Sequence, residues 1–210
     1  LLEKEELSNE TAEGYLEVLE RQSNRLKKLI EDLIEASKAS TGNLAVHLEK
    51  LEAGVSVVQI VGEFEDKLNA ADLTLLIQKP ETPVYVMADG RHFWRVIDNL
   101  MNNICKYAQP GTRVYVDLRE NGGQVELIFR NTSRYPLNIS SEELMERFVR
   151  GDESRNTEGS GLGISIAKSL MELMGGSFML YVDGDLFKVV LGFAQIAEEK
   201  EPLNEDESGK

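Results

Sequence analysis

The sequence predicts a two-layer α/β sandwich, a mixed sheet with helices on one face, preceded by a separate long bundle or coiled-coil helix. Three patterns carry that expectation. Residues 8–40 place leucines at seven-residue spacing over about nine turns at 3.6 residues each. From residue 43 onward, two-residue alternation and three- to four-residue spacing of apolar side chains take turns, as in helices laid on a sheet. Late in the chain, alternating segments flank Asn121-Gly122-Gly123 and Asp183-Gly184, which is hairpin turn chemistry and implies antiparallel pairs.

Each element follows from its own residues. Ser8 or Asn9 can cap the first helix, Leu19, Leu26 and Leu33 form its seam, and Gly42 is a natural stop. Leu44, Val46 and Leu48 alternate as in a strand. Residues 55–70 read as one helix, with Val58, Val61, Phe64 and Leu68 on one side. Leu73–Ile77 and Val84–Met87 read as short strands, and residues 91–108 as a strong helix. Arg113–Leu118 with Gln124–Phe129, and Ser177–Val182 with Leu186–Phe193, read as hairpins. Ser140-x-x-Glu143 is a capping box for a helix at 142–148. Residues 149–160 are polar and glycine-bearing and predict a loop, and 162–174 a helix stopped by Gly175-Gly176. After Ala197 the chain turns acidic and loses apolar content, which predicts a disordered tail. The expected organisation is 1–42 as a bundle helix, 43–196 as the sandwich domain and 197–210 as the tail.

Composition limits the function classes. Of 210 residues, 41% are hydrophobic and 29% charged, so a real core is possible. The net charge of −14 argues against a nucleic-acid partner and against docking on anionic lipid. Cys105 is the single cysteine, so an intramolecular disulfide is excluded and the cytosol is the natural setting. No stretch has the length or apolarity of a membrane span, so no direct membrane contact is expected of these residues. The chain begins on Leu1-Leu2-Glu3-Lys4 without an initiator Met and reads as a piece of something longer.

Two stretches carry chemistry. In Gly159-Ser160-Gly161-Leu162-Gly163, glycine recurs at every second position and the run opens into a helix. Backbone N–H groups at a helix start, with a positive dipole end, cradle anions. In the helix at 91–108, Phe93, Val96, Ile97, Leu100 and Ile104 form an apolar stripe. Asn99, Asn103, Lys106 and Tyr107 share the other face. Asparagine is a poor helix former, so Asn99, Asn102 and Asn103 within five positions call for a reason. An amide oxygen suits a hard cation beside phosphate oxygens, lysine pairs with a phosphate, and tyrosine can lie beside a nucleotide.

In combination these stretches resemble sensor histidine kinases of bacterial two-component systems. Asn99 to Tyr107 is similar to the asparagine box of that family. Gly159-Ser-Gly161-Leu-Gly163 is similar to its second glycine box, and Glu146-Arg-Phe148-Val-Arg150 to its phenylalanine box. Order and spacing match the catalytic ATP-binding domain over about 43–195, and the helix at 8–40 resembles the second helix of the dimerisation and phosphotransfer hairpin. The resemblance implies the Bergerat-type ATPase and kinase fold, with ATP and Mg²⁺ as ligands. It implies Asn103 on the metal, Asn99 supporting it, Lys106 and Tyr107 on the nucleotide, and Arg150 on the phosphates. It also implies a lid flanked by Gly159, Gly161, Leu162 and Gly163. Asn103, Lys106 and Arg150 are the expected catalytic set, acting by position and charge. For the parent protein it implies a response regulator as partner, a homodimer and a place in the bacterial cell membrane.

Two departures qualify the match. Where the family carries an aspartate that receives the adenine amino group, this chain has Asn131, followed by Ser133 and Tyr135 in place of glycines. An amide oxygen still accepts one hydrogen bond, and losing the charge costs about 1 kcal/mol. No phosphoacceptor box is present: His47 lies in the strand-like stretch and His92 at the start of the asparagine-bearing helix. The expectation is therefore a catalytic fragment that binds ATP–Mg²⁺ without autophosphorylating. Alternatives are a degenerate kinase used as a dimerising scaffold, or another ATPase or serine kinase of the same superfamily.

Overall fold

Leucine spacing and charge at the start of the chain do produce one helix, but its buried side is not the leucine row. In the computed structural model, which describes residues 9–40, 44–137, 140–145 and 161–196, α1 runs Asn9–Ser40. Leu19, Leu26 and Leu33 are exposed, whereas Asp32 and Ala36 are buried. The buried side lies along α6 (Gly163–Leu173) and is pinned by Arg95 of α4 (Gly90–Tyr107). Arg95 Nη2 is 2.7 Å from Asp32 Oδ1, its Nε is 2.9 Å from Glu35 Oε2, and its Nη1 is 3.4 Å from Asp98 Oδ2. Such a cluster is more persistent than an exposed pair, because screening by water is reduced where the partners are buried.

The remaining described elements are β1 (Glu49–Glu52), α2 (Ala53–Gly62), α3 (Glu65–Ala70), β2 (Leu73–Gln78), β3 (Tyr85–Ala88), β4 (Thr112–Asn121), β5 (Gln124–Thr132), α5 (Ser141–Met145), β6 (Ser177–Asp183) and β7 (Leu186–Ile196). Among the described residues the strands form one seven-stranded sheet in the order β1-β3-β7-β5-β4-β2, with β6 also on β7. Only β2 and β4 pair in parallel, so the sheet is mixed as expected. Alternation decides its two sides. Val114, Val116 and Leu118 of β4, Val125, Leu127 and Phe129 of β5, and Val189 and Leu191 of β7 are buried against the helix layer. Phe93 of α4 meets Phe193 of β7 with ring centroids 5.6 Å apart, joining helix layer to sheet.

Both hairpins form where the turn residues placed them. Gly122 and Gly123 have φ of 58° and 82°, the left-handed region that side chains disfavour. The capping box also forms: Ser140 N–H donates to Glu143 Oε2 and Glu143 N–H to Ser140 Oγ, each at 3.1 Å. The helix expected at 142–148 is described as Ser141–Met145. The residues beyond it, the loop expected at 149–160 and the acidic tail lie outside the described residues.

Two expectations need correction. The helix expected at 55–70 is two helices, because the chain turns at Glu63-Phe64 to bury Phe64 and Leu68 separately. The strand expected from Leu44 to Leu48 begins only at Glu49. The reason is Asp89. Its carboxylate takes the N–H of His47 at 2.9 Å, which removes that donor from any ladder, while His92 Nε2 lies 3.1 Å from the carbonyl oxygen of Ala45. His92 is therefore a buried structural residue, as a lone histidine usually is.

Asp89 also caps α4, accepting from Arg91 N–H at 3.0 Å and His92 N–H at 3.3 Å. Burial pushes its carboxyl pKa up, but the backbone N–H groups of His47 and His92 and the Arg91 guanidinium outweigh this and hold it at about 2. A depressed carboxylate stabilises the fold above its unfolded pKa and loses that contribution as pH falls through the folded one. Urea midpoints should therefore drop for the parent chain as pH falls from about 4 toward 2. The Asp89→Asn variant should be less stable near neutrality and show a flatter acid limb; parallel acid limbs would contradict this role. Arg95→Ala should cost about 2 kcal/mol, less than the ~3–5 of a fully buried pair, and should speed proteolysis within α1. Unchanged proteolysis would show that Arg95 does not hold the helix.

Candidate functional site

The site is built on α4. Asp89 starts the helix, its apolar stripe faces the sheet, and the face carrying Asn99, Asn103, Lys106 and Tyr107 is left half-buried. One of the three asparagines has a purely structural task. Asn102 Nδ2 donates to the Asp98 carbonyl at 2.8 Å and to Asp98 Oδ1 at 2.7 Å, and its Oδ1 accepts from Lys67 Nζ at 3.1 Å. The need for a reason noted in the sequence is met locally at Asn102, and Asn99 and Asn103 remain.

The end of α4 is stitched to the end of β5. Gln109 N–H donates to the Thr132 carbonyl at 2.9 Å, Arg134 N–H to the Tyr107 carbonyl at 2.8 Å, and Ala108 bridges Ser133. Ser133 N–H in turn donates to the Asp185 carbonyl at 2.7 Å, in the turn before β7. These bonds bring the last turn of α4, with Lys106 and Tyr107, beside the stretch that holds Asn131. Lys106 Nζ lies 4.9 Å from the centroid of the Tyr107 ring. Asn131 is 4% exposed and pairs in register with Phe187. Its Nδ2 donates to the Thr132 carbonyl at 3.2 Å, while its Oδ1 is buried with no partner among the described residues.

The other end of the face meets the start of α6. Gly161 has a φ of 69°, a turn that only glycine makes without strain, and Leu162 behind it is buried. Leu162 at the N-cap offers no side-chain hydrogen bond, so among the described residues no side chain caps the first turn of α6. A Cβ added at Gly163 would stand 3.5 Å from Asn99 Oδ1, an ordinary contact distance, so the start of α6 lies directly against Asn99. Asn99 Nδ2 is buried without a partner among the described residues.

Of the residues singled out in the sequence, the structure brings Asn99 against Gly163 at one end and Tyr107 toward Asn131 at the other. Asn103 and Lys106 lie between them on the same helix. Arg150 and Gly159 lie outside the described residues. The stitch and the Arg95 cluster escaped the sequence reading. The carboxylates Asp32 and Glu35, three apart on one helix, were the available signal for the latter. Burial pushes the Cys105 thiol pKa up, which makes it a poor nucleophile. Among the described residues no group of three His, Cys, Asp or Glu could hold a metal. On the α4 face the hard oxygen donors open to a cation are the side-chain amides of Asn99 and Asn103. The donor set fits an adenine nucleotide: a buried acceptor without a donor at Asn131, a cation and an aromatic ring in between, and a buried donor beside an uncapped helix start at Asn99. No described helix is long and apolar enough to cross a membrane.

Comparison with known proteins agrees with this geometry. Residues 88–201 match the family model described as histidine kinase-, DNA gyrase B-, and HSP90-like ATPase. The chain is 27% identical over 173 residues to the sensor protein IrlS of Burkholderia pseudomallei, covering 80% of this chain and 36% of that protein. It is 26% identical over 172 residues to the sensor protein kinase WalK of Staphylococcus aureus, covering 80% of this chain and 41% of that protein. It thus spans well under half the length of these curated relatives. Among solved structures, full-length ShkA in complex with AMPPNP superposes with a TM-score of 0.75 at 19% identity, over 94% of this chain and 42% of that one. The histidine kinase ThkA in complex with the response regulator TrrA superposes with a TM-score of 0.66 at 16% identity, over 92% of this chain and 54% of that one. The sheet order, the asparagine-bearing α4 and the matched residues 88–201 lead to one conclusion: the chain belongs to the histidine kinase-, DNA gyrase B- and HSP90-like ATPase family, with sensor histidine kinases as its relatives.

Proposed function

We propose that this chain binds ATP together with Mg²⁺ as the catalytic ATP-binding part of a sensor histidine kinase. The whole protein would transfer the γ-phosphoryl group to a histidine and pass it to a response regulator. The observation that carries this reading is the pair of unpartnered atoms at the two ends of one helix face, Asn131 Oδ1 and Asn99 Nδ2. A buried polar group without a partner costs about 1–3 kcal/mol, and a ligand that completes it recovers that cost. The nucleotide complex of ShkA and the response-regulator complex of ThkA support the reading by analogy of fold.

Roles follow from chemistry and placement. Asn131 Oδ1 is an acceptor, and its Nδ2 is occupied by Thr132, so it selects a base that offers an amino group over one that offers a carbonyl. Tyr107 and Lys106 flank the nucleotide, the ring by packing and the ammonium by charge. Asn103 would hold Mg²⁺, and Asn99 would support the same end of the site. The N–H groups that open α6 after Gly161, Leu162 and Gly163 face the phosphates, with Gly159 and Arg150 completing the lid by similarity. When bound, the metal supplies charge neutralisation across the phosphate oxygens. This chain's own contribution is orientation and fixed charge, and it needs no protein nucleophile. A second reading, a degenerate kinase acting as a dimerising scaffold, draws on the exposed row Leu19, Leu26 and Leu33.

Calorimetric titration separates the two. ATP should bind, and Asn103→Ala should remove the gain from adding Mg²⁺. Asn131→Leu, which keeps the volume and removes the acceptor, should weaken ATP about tenfold, a ΔΔG of about 1.4 kcal/mol, and erase any preference over GTP. No ATP binding at millimolar concentration with or without Mg²⁺ would leave the scaffold reading in its place.

A further inference from the structure

The face of α4 that carries Asn99, Asn103, Lys106 and Tyr107 lies on the helix side of the sheet. The opposite side has a different chemistry. Arg119 of β4, Arg130 of β5 and Lys188 of β7 project there with Lys79, around a cavity of about 430 Å³ whose lining contains one carboxylate, Asp117. Arg130 has a carboxylate partner in Asp117 and Arg119 one in Glu126, which leaves Lys79 and Lys188 as the excess cations of this cleft in a chain of net charge −14. Ile128, which lines the same cavity, is 3% exposed although it faces away from the helices. The cations are incompletely satisfied. Arg130 Nη2 pairs with Asp117 Oδ2, while Arg130 Nε and Asp117 Oδ1 of the same pair are buried with no partner among the described residues. Lys79 and Lys188 make no ion pair among the described residues, and ammonium groups so placed in one cleft are receptors for a carboxylate or a similar oxyanion.

The sequence contains a matching occupant. Residues 198–207, which follow β7 directly, carry Glu198, Glu199, Glu201, Glu205, Asp206 and Glu207 against Lys200 alone. Lys188 precedes Ile196, the last residue of β7, by eight residues, which is roughly 26 Å along a strand. Glu205 to Glu207 follow Ile196 by nine to eleven residues, a reach of at most roughly 30–40 Å. The acidic run is therefore long enough to return over the sheet to this cleft. Tethering supplies an effective concentration in the millimolar range, which weak exposed ion pairs require. We infer that the outer face of the sheet is a docking site for the chain's own acidic segment 198–207, whose carboxylates pair with Lys79, Arg119, Arg130 and Lys188. Docking neutralises this cationic cleft of an acidic protein, and its strength falls with salt because the pairs are partly exposed.

Backbone amide NMR on the full chain tests this. A variant neutralised at Glu198, Glu199, Glu201, Glu205, Asp206 and Glu207 by Gln or Asn keeps the sheet untouched. Relative to the parent at about 50 mM salt, it should shift the amides of 117–119, 128–130 and 188–190, and salt near 0.5 M should bring the two spectra together. In the parent background, Arg119→Gln with Lys188→Gln should remove the salt-sensitive shifts of the tail amides. Sheet amides that do not move on tail neutralisation would overturn the inference. So would sheet shifts that persist at high salt, or tail amides indifferent to the Arg119 and Lys188 substitutions. Inorganic phosphate is the control probe: if it moves the same sheet amides while tail neutralisation does not, the cleft takes a free anion and the tail assignment fails.

Discussion

The stitch between the end of α4 and the end of β5 is the constraint on which the rest depends. Two backbone hydrogen bonds, Gln109 to Thr132 and Arg134 to Tyr107, which together make the Ala108–Ser133 bridge, fix where the helix stops relative to the sheet. With the helix end fixed and its apolar stripe against the sheet, the amide face of α4 has only one orientation. Asn131 then lies beside the last turn and Asn99 beside the opening of α6. Because Asp89 caps the other end, both termini of α4 are held by hydrogen bonds outside the helix itself. A helix anchored at both ends can carry polar groups at fixed positions without relying on their own packing.

Those polar groups weaken the fold where they stand. Asn131 Oδ1 and Asn99 Nδ2 are desolvated without a partner among the described residues, Asn99 directly against Gly163. Elsewhere on the same helix the opposite rule holds. Asn102 satisfies itself on Asp98 and Lys67, and Arg95 gathers three carboxylates from two helices. Unsatisfied atoms among the described residues of α4, α6 and the end of β5 are thus confined to the face that a nucleotide would cover. The outer cleft around Arg130 and Asp117 repeats the pattern on the other side of the sheet.

How much of this was legible in the sequence follows from which forces are local. Hairpin turns, the capping box at Ser140 and the long helices were legible because a few neighbouring residues dictate them. The break between α2 and α3 was not, since spacing alone continues through Glu63 and the chain turns there for tertiary packing of Phe64. The strand read at Leu44 to Leu48 failed for a related reason: apolar alternation was present, but the distant Asp89 claims the His47 N–H. The site residues were legible in identity, because Asn99, Asn103, Lys106 and Tyr107 fall on one helical face. Their completion was not, because Asn131 reaches that face only through bonds that cross the sheet. The leucine row of α1, a seam that a lone hairpin helix is expected to leave exposed, is exposed, and the side that does pack carries Asp32 and Ala36 and is held by Arg95 from another helix.

The most direct test is a structure of the chain with a non-hydrolysable ATP analogue and Mg²⁺. The account requires the adenine amino group within hydrogen-bonding distance of Asn131 Oδ1 and the metal on Asn103. It also requires the phosphates before the first turn of α6. A nucleotide bound elsewhere, or one whose base leaves Asn131 Oδ1 without a partner, would contradict it.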